Sequence, residues 1–326
     1  MNQIPFALFV LLCSFSISAP PIHGDELSLT ETDETIRITL RGTPVLQYIK
    51  TSQPVPEGLP EHFSRSGYIH PVYTPTGQEL TGDYPADHPH QHALFFAWTK
   101  SDFNGQKVDF WNQAKHLGKI EFREVVSRTR QERQVAFTVK HAFMVKEGGQ
   151  WMDVLHETWT VTVHQTPADH FLFDIVSVQQ CVANQPVGLD QYHYGGMAIR
   201  GNAQWLKEKG DHRVEPGDLR YSTSEGKDRW EGNHTRPNWV ALSGRIDGQD
   251  VSAAVFCNPE NFRAPQPVRI HPNKPYFCFA PMVEGAFEIQ PGEDYVSRYR
   301  YLVTSNAADR DMIQAHWDAY SRRSDE

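Results

Sequence analysis

Three histidines occupy alternate positions in one short segment, His88, His90 and His92, and an apolar run follows at once. An extended chain directs alternate residues to one face, so we expect these side chains to converge at the mouth of a strand. Imidazole titrates near neutral pH and is the commonest metal ligand. The segment therefore suits proton transfer, metal binding or recognition of sugar hydroxyls. A polar turn around Pro89 is the plainer interpretation.

A carboxylate interrupts the apolar face of the most regular predicted strand, Asp153 to Val163. By parity, Glu157 shares its face with Leu155 and Trp159 rather than with the threonines of the other face. Burial there is expected to raise the pKa of the carboxyl group, which would make it an acid or base near neutral pH. The alternative is a structural salt bridge to an arginine from a neighbouring strand.

A glycine-broken turn places His193 between two tyrosines, a composition that suits stacking on a sugar ring and hydrogen bonding to its hydroxyls. A surface turn with amphipathic aromatic residues is the alternative. Further polar and aromatic residues stand at turns and strand ends. The candidate substrate-binding residues are His88, His92, Trp98, Asp109, Trp111, Tyr194, Arg200, Asn261 and Arg263.

We expect the polar candidates to gather around one cleft with aromatic walls. His90 or His193 would act as the acid, Glu157 as the base, and Arg263 would hold a substrate carboxylate or hydroxyls. No cofactor is expected. A divalent metal bound by the three alternating histidines is a weaker alternative, because zinc sites usually draw their ligands from several segments.

Period-two alternation of apolar and polar residues dominates from Ile36 to Leu302, with turn signals between the runs. A helical period appears only at the end, which predicts one helix from about Ala307 to Tyr320 after the capping segment Ser305-Asn306. Many strands without alternating helices indicate an all-β fold. We predict an antiparallel β-supersandwich from about residue 25 to 303, closed by this short C-terminal helix.

The N-terminus resembles a secretory signal, because the apolar stretch from Ala7 to Ile17 has the length of a signal core and is too short to span a bilayer. Small residues Ser16 and Ser18 place cleavage after residue 18, and a cut after residue 24 is the alternative. We expect export to the periplasm or the exterior. Residues 25–326 would form a single domain, in which the polar region from Asn202 to Asn238 is a rim or lid.

Composition excludes several partners. The formal net charge of −9 argues against nucleic acid, which needs a basic face. No later segment approaches the run of about 20 apolar residues that a membrane helix requires. Three cysteines would remain after cleavage, Cys181, Cys257 and Cys278, so a complete disulfide framework is excluded. A Cys257–Cys278 bridge stays open, as does the role of all three as buried small hydrophobes.

An ordered series of motifs resembles the bacterial "PmoA family" of exported proteins over nearly the whole mature chain. The series comprises Pro75-Thr76-Gly77, Asp87 to Trp98, Asn104-Gly105, Asp109-Phe110-Trp111, Ile199-Arg200, Trp239-Val240 and Asn258 to Pro265. The family typically reads His-His-Arg-Gly-Leu where this chain has His90-Gln91-His92-Ala93-Leu94. The family label implies a membrane subunit of methane monooxygenase, which conflicts with a chain that has no spanning helix.

The resemblance implies a β-supersandwich akin to galactose mutarotase, and a role with carbohydrates. The leading hypothesis is an exported carbohydrate-active enzyme that transfers a proton at a sugar, as an epimerase, lyase or hydrolase. The alternative is a non-catalytic protein that binds a carbohydrate or modified sugar with the same aromatic residues. A histidine-ligated metal protein is the third reading.

Overall fold

Alternating apolar and polar side chains form strands along most of the chain, because such a pattern buries one face of a pleated strand and leaves the other face wet. The computed structural model describes residues 26–113, 116–206 and 219–322. The expected signal segment, residues 1–18 or 1–24, lies outside these residues. The strands of the first half are β1 Leu27–Glu31, β2 Thr35–Leu40, β3 Thr43–Ile49, β4 Tyr68–Val72, β5 Leu94–Ala97, β6 Ser101–Phe103, β7 Gln106–Val108, β8 Gly118–Gln131, β9 Gln134–Glu147 and β10 Gln150–His164.

The second half continues the strands and ends on a helix. Its strands are β11 His170–Cys181, β12 Val187–Leu189, β13 Gly196–Arg200, β14 Arg220–Thr223, β15 Trp239–Ile246, β16 Gln249–Cys257, β17 Val268–Ile270, β18 Tyr276–Phe279, β19 Phe287–Ile289 and β20 Asp294–Thr304. The helix is α1 Arg310–Ser321. Short 3₁₀ turns lie at Glu61–Phe63, Ala203–Trp205 and Pro281–Glu284.

The strands form two eight-stranded sheets and one four-stranded sheet. The first sheet has the order β1-β2-β3-β4-β5-β13-β18-β17, and the second has the order β14-β15-β16-β20-β11-β10-β9-β8. The small third sheet has the order β19-β12-β6-β7. The ladders between these strands are antiparallel. The predicted all-β antiparallel supersandwich with a short C-terminal helix is confirmed.

Aromatic contacts join the inner faces of the two large sheets. Phe279 of β18 stacks on Tyr299 of β20 with ring centroids 5.5 Å apart. Tyr48 of β3 contacts Phe137 of β9, also at 5.5 Å. Large aromatic side chains bury the most apolar surface per residue, and such pairs add specific edge and stacking contacts. The core therefore fixes which face of each sheet points inward.

The helix begins later than the sequence suggested. Side-chain oxygen Oδ1 of Asp309 accepts the backbone amides of Asp311 and Met312 at 2.9 and 3.1 Å, so Asp309 is the N-cap. The predicted start near Ala307, with Ser305-Asn306 as the cap, was wrong. The buried residues Ile313 and Tyr320 of α1 pack in a cluster with residues of the second sheet.

Two further expectations change with the structure. Cys181, Cys257 and Cys278 are buried free thiols, and the bridge left open by the sequence is not formed. Cys257 lies on β16 of the second sheet and Cys278 on β18 of the first.

The polar region from Asn202 to Asn238, expected to form a rim or lid, contains strand β14, which pairs with β15. In the described segments, no helix is long and apolar enough to cross a bilayer.

Strands β13 and β18 approach too closely to admit a side chain at Gly196. This residue has φ +112°, and an added Cβ would lie 2.3 Å from the Phe279 carbonyl oxygen. Gly196→Ala combines backbone strain of about 1–3 kcal/mol with overpacking of about 1–3 kcal/mol. Gly77→Ala is the matched control, because Gly77 has φ +91° and nothing lies within 4 Å of its added Cβ. We expect the lower urea midpoint for Gly196→Ala, and equal midpoints would contradict the close approach.

Candidate functional site

The histidine segment is a pair of turns rather than an extended chain. The amides of His88 and Gln91 each donate to the carbonyl three residues earlier, at 3.0 and 2.9 Å. Consecutive turns break the period-two alternation of side chains. His88 and His90 line one cavity. His92 is fully buried and bonds through Nδ1 to Asp83 at 2.8 Å, so the predicted convergence of three histidines was wrong.

A cavity of about 90 Å³ lies against strands β17 and β18, at one edge of the first sheet. Imidazoles, amides and aromatic rings form most of its lining, together with one guanidinium. The described lining residues are His88, His90, Gln91, Trp111, Asn112, His193, Tyr194, Arg269, His271 and Tyr276. Five of the residues singled out in the sequence are therefore brought together here, namely His88, His90, Trp111, His193 and Tyr194.

The cavity lies on the face of the first sheet that points away from the second sheet. Phe279 faces inward because it stacks on Tyr299, so its neighbour Cys278 has its side chain on the outer face. Arg269 pairs directly with Cys278 in the register of β17 and β18, and residues that pair directly share a face. Tyr276 shares it too, two residues before Cys278. The sheet therefore positions part of the lining on its outer face.

Glu157 lies in the core between the two sheets, on the opposite side of the first sheet from the cavity. Its carboxylate accepts hydrogen bonds from Ser177 at 2.6 Å and Gln179 at 2.9 Å, and it pairs with Nδ1 of His141 at 2.9 Å. The other ring nitrogen of His141 bonds to the hydroxyl of Tyr48 on β3 at 2.6 Å. The structure therefore does not bring Glu157 to the cleft where the sequence predicted a base.

The pKa of Glu157 also moves in the direction opposite to the expectation. Burial raises this pKa, but the hydrogen bond and charge of His141, with hydrogen bonds from Ser177 and Gln179, outweigh burial and lower it below 4.5. Glu157 is therefore an ionised group held by its neighbours. Its partner at 2.9 Å is a histidine, where the sequence suggested an arginine.

Three other candidates are also engaged away from the cavity. Arg263 donates to three backbone carbonyls between positions 281 and 286, at 2.7 to 3.2 Å, so its guanidinium fastens a loop. Asn261 bonds to the backbone of β20 through both side-chain atoms. Trp98 is fully buried and donates to Gln179 at 2.7 Å. The predicted contacts of these side chains with a substrate do not fit their positions.

Two candidates hold lining residues without lining the cavity themselves. Asp109 accepts the backbone amides of Trp111 at 2.9 Å and Asn112 at 2.8 Å, which shapes the turn that presents both side chains. Arg200 is buried and donates to the side chain of Gln91 at 2.8 Å. These two residues position the site.

An aspartate that the sequence reasoning did not single out organises one side of the cavity. Asp87 bonds to Nδ1 of His88 at 2.7 Å, accepts two bonds from Arg200 at 2.7 and 3.2 Å, and lies 3.5 Å from Nζ of Lys274. Although burial raises the pKa of Asp87, hydrogen bonds from His88 and Arg200 hold it well below its usual range. An ionised acceptor favours the proton on Nδ1 of His88, and in the neutral ring with that tautomer Nε2 holds the lone pair.

The other imidazoles of the cavity are neutral at pH 7. Burial and then the charge of His88 lower the pKa of His90 to about 3. Burial and then the charge of Arg269 lower the pKa of His271 to about 3 and also lower that of His193. A neutral imidazole donates and accepts hydrogen bonds but holds no acidic proton at this pH. The expected role of His90 as the acid does not fit this pKa.

Tyr194 supplies a protonated hydroxyl at the cavity. It exchanges hydrogen bonds with the side-chain amide of Asn112, at 2.9 and 3.2 Å. Burial raises the pKa of Tyr194 to about 12, so the hydroxyl keeps its proton at pH 7. The indole of Trp111 lies against the ring, with centroids 5.3 Å apart. The site thus combines a lone-pair nitrogen, a proton-bearing oxygen and aromatic surface.

Sequence reasoning missed about half of the lining. Arg269 lies between two buried apolar residues in the three-residue strand β17, and His271 is the first residue after that strand. A polar residue between two apolar ones is a period-two signal, but three residues are too few to separate it from a loop. For metals, the residues that the structure describes contain no group of three or more His, Cys, Asp or Glu side chains able to hold an ion.

The position of Glu157 makes its replacement a test of stability. Glu157→Gln puts an amide where a carboxylate oxygen faces His141, and breaking one partner of a buried pair costs about 3–5 kcal/mol. Glu124→Gln is the control, since Glu124 is 63% exposed and its distance to Lys140 is 4.0 Å; its effect should stay within about 0.5 kcal/mol. Urea denaturation measures both, and equal effects would contradict the buried pair.

The loss of stability in Glu157→Gln should depend on pH in a definite direction. Because the folded pKa of Glu157 lies below 4.5, its ionisation stabilises the protein above that pH, and the contribution is lost as the pH falls through the folded pKa. The stability gap between wild type and Glu157→Gln should therefore be full at pH 7 and shrink on acidification below 4.5. A gap that widens in acid would show that the folded pKa is raised.

Comparisons with known proteins give a family and remote structural likenesses. Solved structures that resemble the chain include a heparan sulfate lyase mutant from Pedobacter heparinus, with 8% identity, TM-score 0.35, and coverage of 87% of this chain and 35% of the lyase. A GalM/aldose epimerase homologue from C. elegans has 10% identity, TM-score 0.33, and coverage of 86% and 100%. A TPR-domain containing protein from Parabacteroides distasonis has 9% identity, TM-score 0.29, and coverage of 87% and 48%.

The chain thus spans about a third of the length of the lyase. No curated protein matches it significantly. The family model that matches does not carry the PmoA label suggested by the motifs, and that label stays a prediction. The matched region, residues 35–318, takes in nearly all of the sandwich, the cavity and most of α1. The chain belongs to the family of unknown function DUF6807.

Proposed function

We propose that this protein is a carbohydrate-active enzyme that transfers a proton at a sugar carbon, with His88 as the base. The observation that carries the proposal is the Asp87–His88 pair beside a cavity with aromatic sides. A carboxylate that fixes one imidazole nitrogen orients the ring and supports its acceptance of a proton at the other. The partly exposed ring of Tyr194, with Trp111 packed against it, offers a surface on which a sugar can pack.

The reaction class follows from the groups that are present. None of the described lining residues is a carboxylate. Most glycoside hydrolases use two carboxyl groups that flank the scissile bond, so hydrolysis fits this lining poorly. Epimerisation and β-elimination instead begin when a base removes a proton from carbon, and an imidazole suffices for that step. We therefore favour an epimerase or a lyase.

The proposed step balances in both cases. His88 accepts the proton from a carbon next to a carbonyl or carboxyl group, and the electron pair of the broken C–H bond moves toward that group. In elimination, the pair forms a C=C bond, the neighbouring C–O bond breaks, and Tyr194 gives its proton to the leaving oxygen. In epimerisation, Tyr194 returns a proton to the other face of the carbon. Solvent then carries the proton from His88 back to Tyr194.

A non-catalytic sugar-binding protein is the second candidate. The neutral state of His90 and His271 favours it, because groups with a pKa of about 3 are weak bases but good hydrogen-bond partners for hydroxyls. Binding of a sugar that survives His90→Ala and His88→Gln, without exchange or turnover, would support this candidate.

Export is part of the same proposal. Its support is the apolar stretch from Ala7 to Ile17 at the N-terminus. Expression of the full chain in a bacterium, followed by fractionation and N-terminal sequencing, should recover a chain that begins at residue 19 or 25 outside the cytoplasm. An intact N-terminus in the cytoplasm would overturn it.

Proton transfer can be followed without knowledge of the product. We expect wild-type protein in D2O to introduce deuterium at a carbon of one member of a panel of uronates, keto sugars and oligosaccharides, or to form a C=C bond. His88→Gln should lower this rate by roughly 10²–10⁴-fold, the usual contribution of general acid–base catalysis. NMR measures exchange, and ultraviolet absorbance measures the double bond.

The chain offers a matched control. His156 bonds to Asp153 at 2.9 Å, so it forms another Asp–His pair, on strand β10 away from the cavity. His156→Gln should leave exchange unchanged, and Asp87→Asn should lower it. Exchange that persists undiminished in His88→Gln would remove His88 as the base.

A further inference from the structure

We propose that the sugar carries a carboxylate and that Arg269 binds it. This inference deepens the proposed function and rests on it for the nature of the ligand as a sugar. The substrate class is then an acidic sugar, and Arg269, which lies outside the Asp87–His88 pair, determines the specificity for it.

The charge of Arg269 has no counter-charge in the described part of the chain. Its Nη1 donates to the side-chain oxygen of Asn233 at 3.2 Å, which is a neutral acceptor. Its Nε is buried and makes no hydrogen bond within the described residues. A buried donor without a partner carries a desolvation penalty, and a charged donor carries a larger one. Arg269 also lines the cavity, so a ligand there can reach its charge.

Two carboxylates that position residues of the cavity already have partners of their own. Asp87 is bound by Arg200, His88 and Lys274. Asp109 accepts backbone amides and the side chain of Asn112 at 2.7 Å. Both carboxylates therefore have their own donors, and neither forms an ion pair with Arg269. The missing negative charge is left for a ligand to supply.

The groups that surround the guanidinium suit an anion as well. Burial and then the charge of Arg269 lower the pKa of His193, His234 and His271. Neutral imidazoles can each donate an N–H to an oxygen of the ligand without adding positive charge of their own. A planar guanidinium matches the two oxygens of a carboxylate in a fork geometry that a lysine ammonium lacks.

A carboxylate also supplies what the proposed proton transfer requires. Removal of a proton from the adjacent carbon pushes the electron pair into the carboxyl group, which then carries a second negative charge. Pairing with Arg269 stabilises that charge more in the transition state than in the ground state. His88 takes the proton, so the same cavity would hold the anion and the base.

Binding of acids against their own amides tests the carboxylate. Calorimetry would compare glucuronate, galacturonate, mannuronate, guluronate and iduronate with the corresponding uronamides. We expect at least one acid to bind about 10- to 100-fold more tightly than its amide, the range of a charge-assisted hydrogen bond. If no acid of the panel binds better than its amide, the inference fails. A hexose 6-sulfate that binds as tightly as the best acid would overturn the assignment to a carboxylate.

Substitutions at position 269 test whether Arg269 binds the carboxylate. Arg269→Gln should remove the preference for the acid, and Arg269→Lys should restore part of it through charge alone. Arg245→Gln is the control, since Arg245 is 60% exposed and pairs with Asp250 on a hairpin. Thermal unfolding shows whether each variant is folded. If Arg269→Gln does not fold, Arg269→Lys becomes the deciding variant. If Arg269→Lys prefers the acid as strongly as the wild type does, binding does not depend on the fork geometry of the guanidinium, and that part of the inference is wrong.

The two proposals fail separately. Deuterium exchange on a neutral keto sugar, with no binding preference for any acid, would support the proposed proton transfer and contradict the role of Arg269. Tight, Arg269-dependent binding of a uronate without exchange or elimination would support the role of Arg269 and contradict the proton transfer.

Discussion

The ion pair between Arg200 and Asp87 holds the candidate site to the sheet. Arg200 ends β13 in the first sheet with 1% of its surface exposed, and it grips the carboxylate through two nitrogens. A buried guanidinium is costly unless it is paired, so the sheet and the turn that carries Asp87 stabilise each other. Because Asp87 in turn bonds to His88, the position of the proposed base depends on a cation in the sheet.

The first sheet separates two polar assemblies that the sequence could not distinguish. Glu157, His141 and Tyr48 lie on its inner side, where every hydrogen bond joins the two sheets or neighbouring strands. The imidazoles of the cavity lie on its outer side. Buried ionised groups in a sandwich core need complete pairing, whereas groups at a binding site keep donors in reserve for a ligand. Glu157, His141 and Tyr48 bond to one another, which identifies them as structural, whereas the unpaired Nε of Arg269 belongs to a side chain that lines a cavity.

The sequence predicted periodic features well and long-range partners poorly. The strand expected from Asp153 to Val163 runs from Gln150 to His164, and its buried parity, including Glu157, is as predicted. Parity shows that a residue faces the interior, but only the register with β9 and β11 brings His141 and Ser177 to Glu157. The sequence identified two parts of the candidate site, the turns that carry His88 and His193. Arg269 did not, because its strand has only three residues.

The low pKa values of the cavity histidines and the uncompensated charge of Arg269 have one origin. Burial removes the water that would otherwise stabilise protonated imidazole, and the guanidinium adds repulsion. An anion bound at Arg269 would offset the repulsion and raise the affinity of His193 and His271 for protons. By thermodynamic linkage, protonation of these imidazoles would strengthen binding of the anion by the same factor. With such a ligand, the site would couple ligand charge to proton affinity through its own desolvation, a property that three exposed histidines in an extended segment would lack.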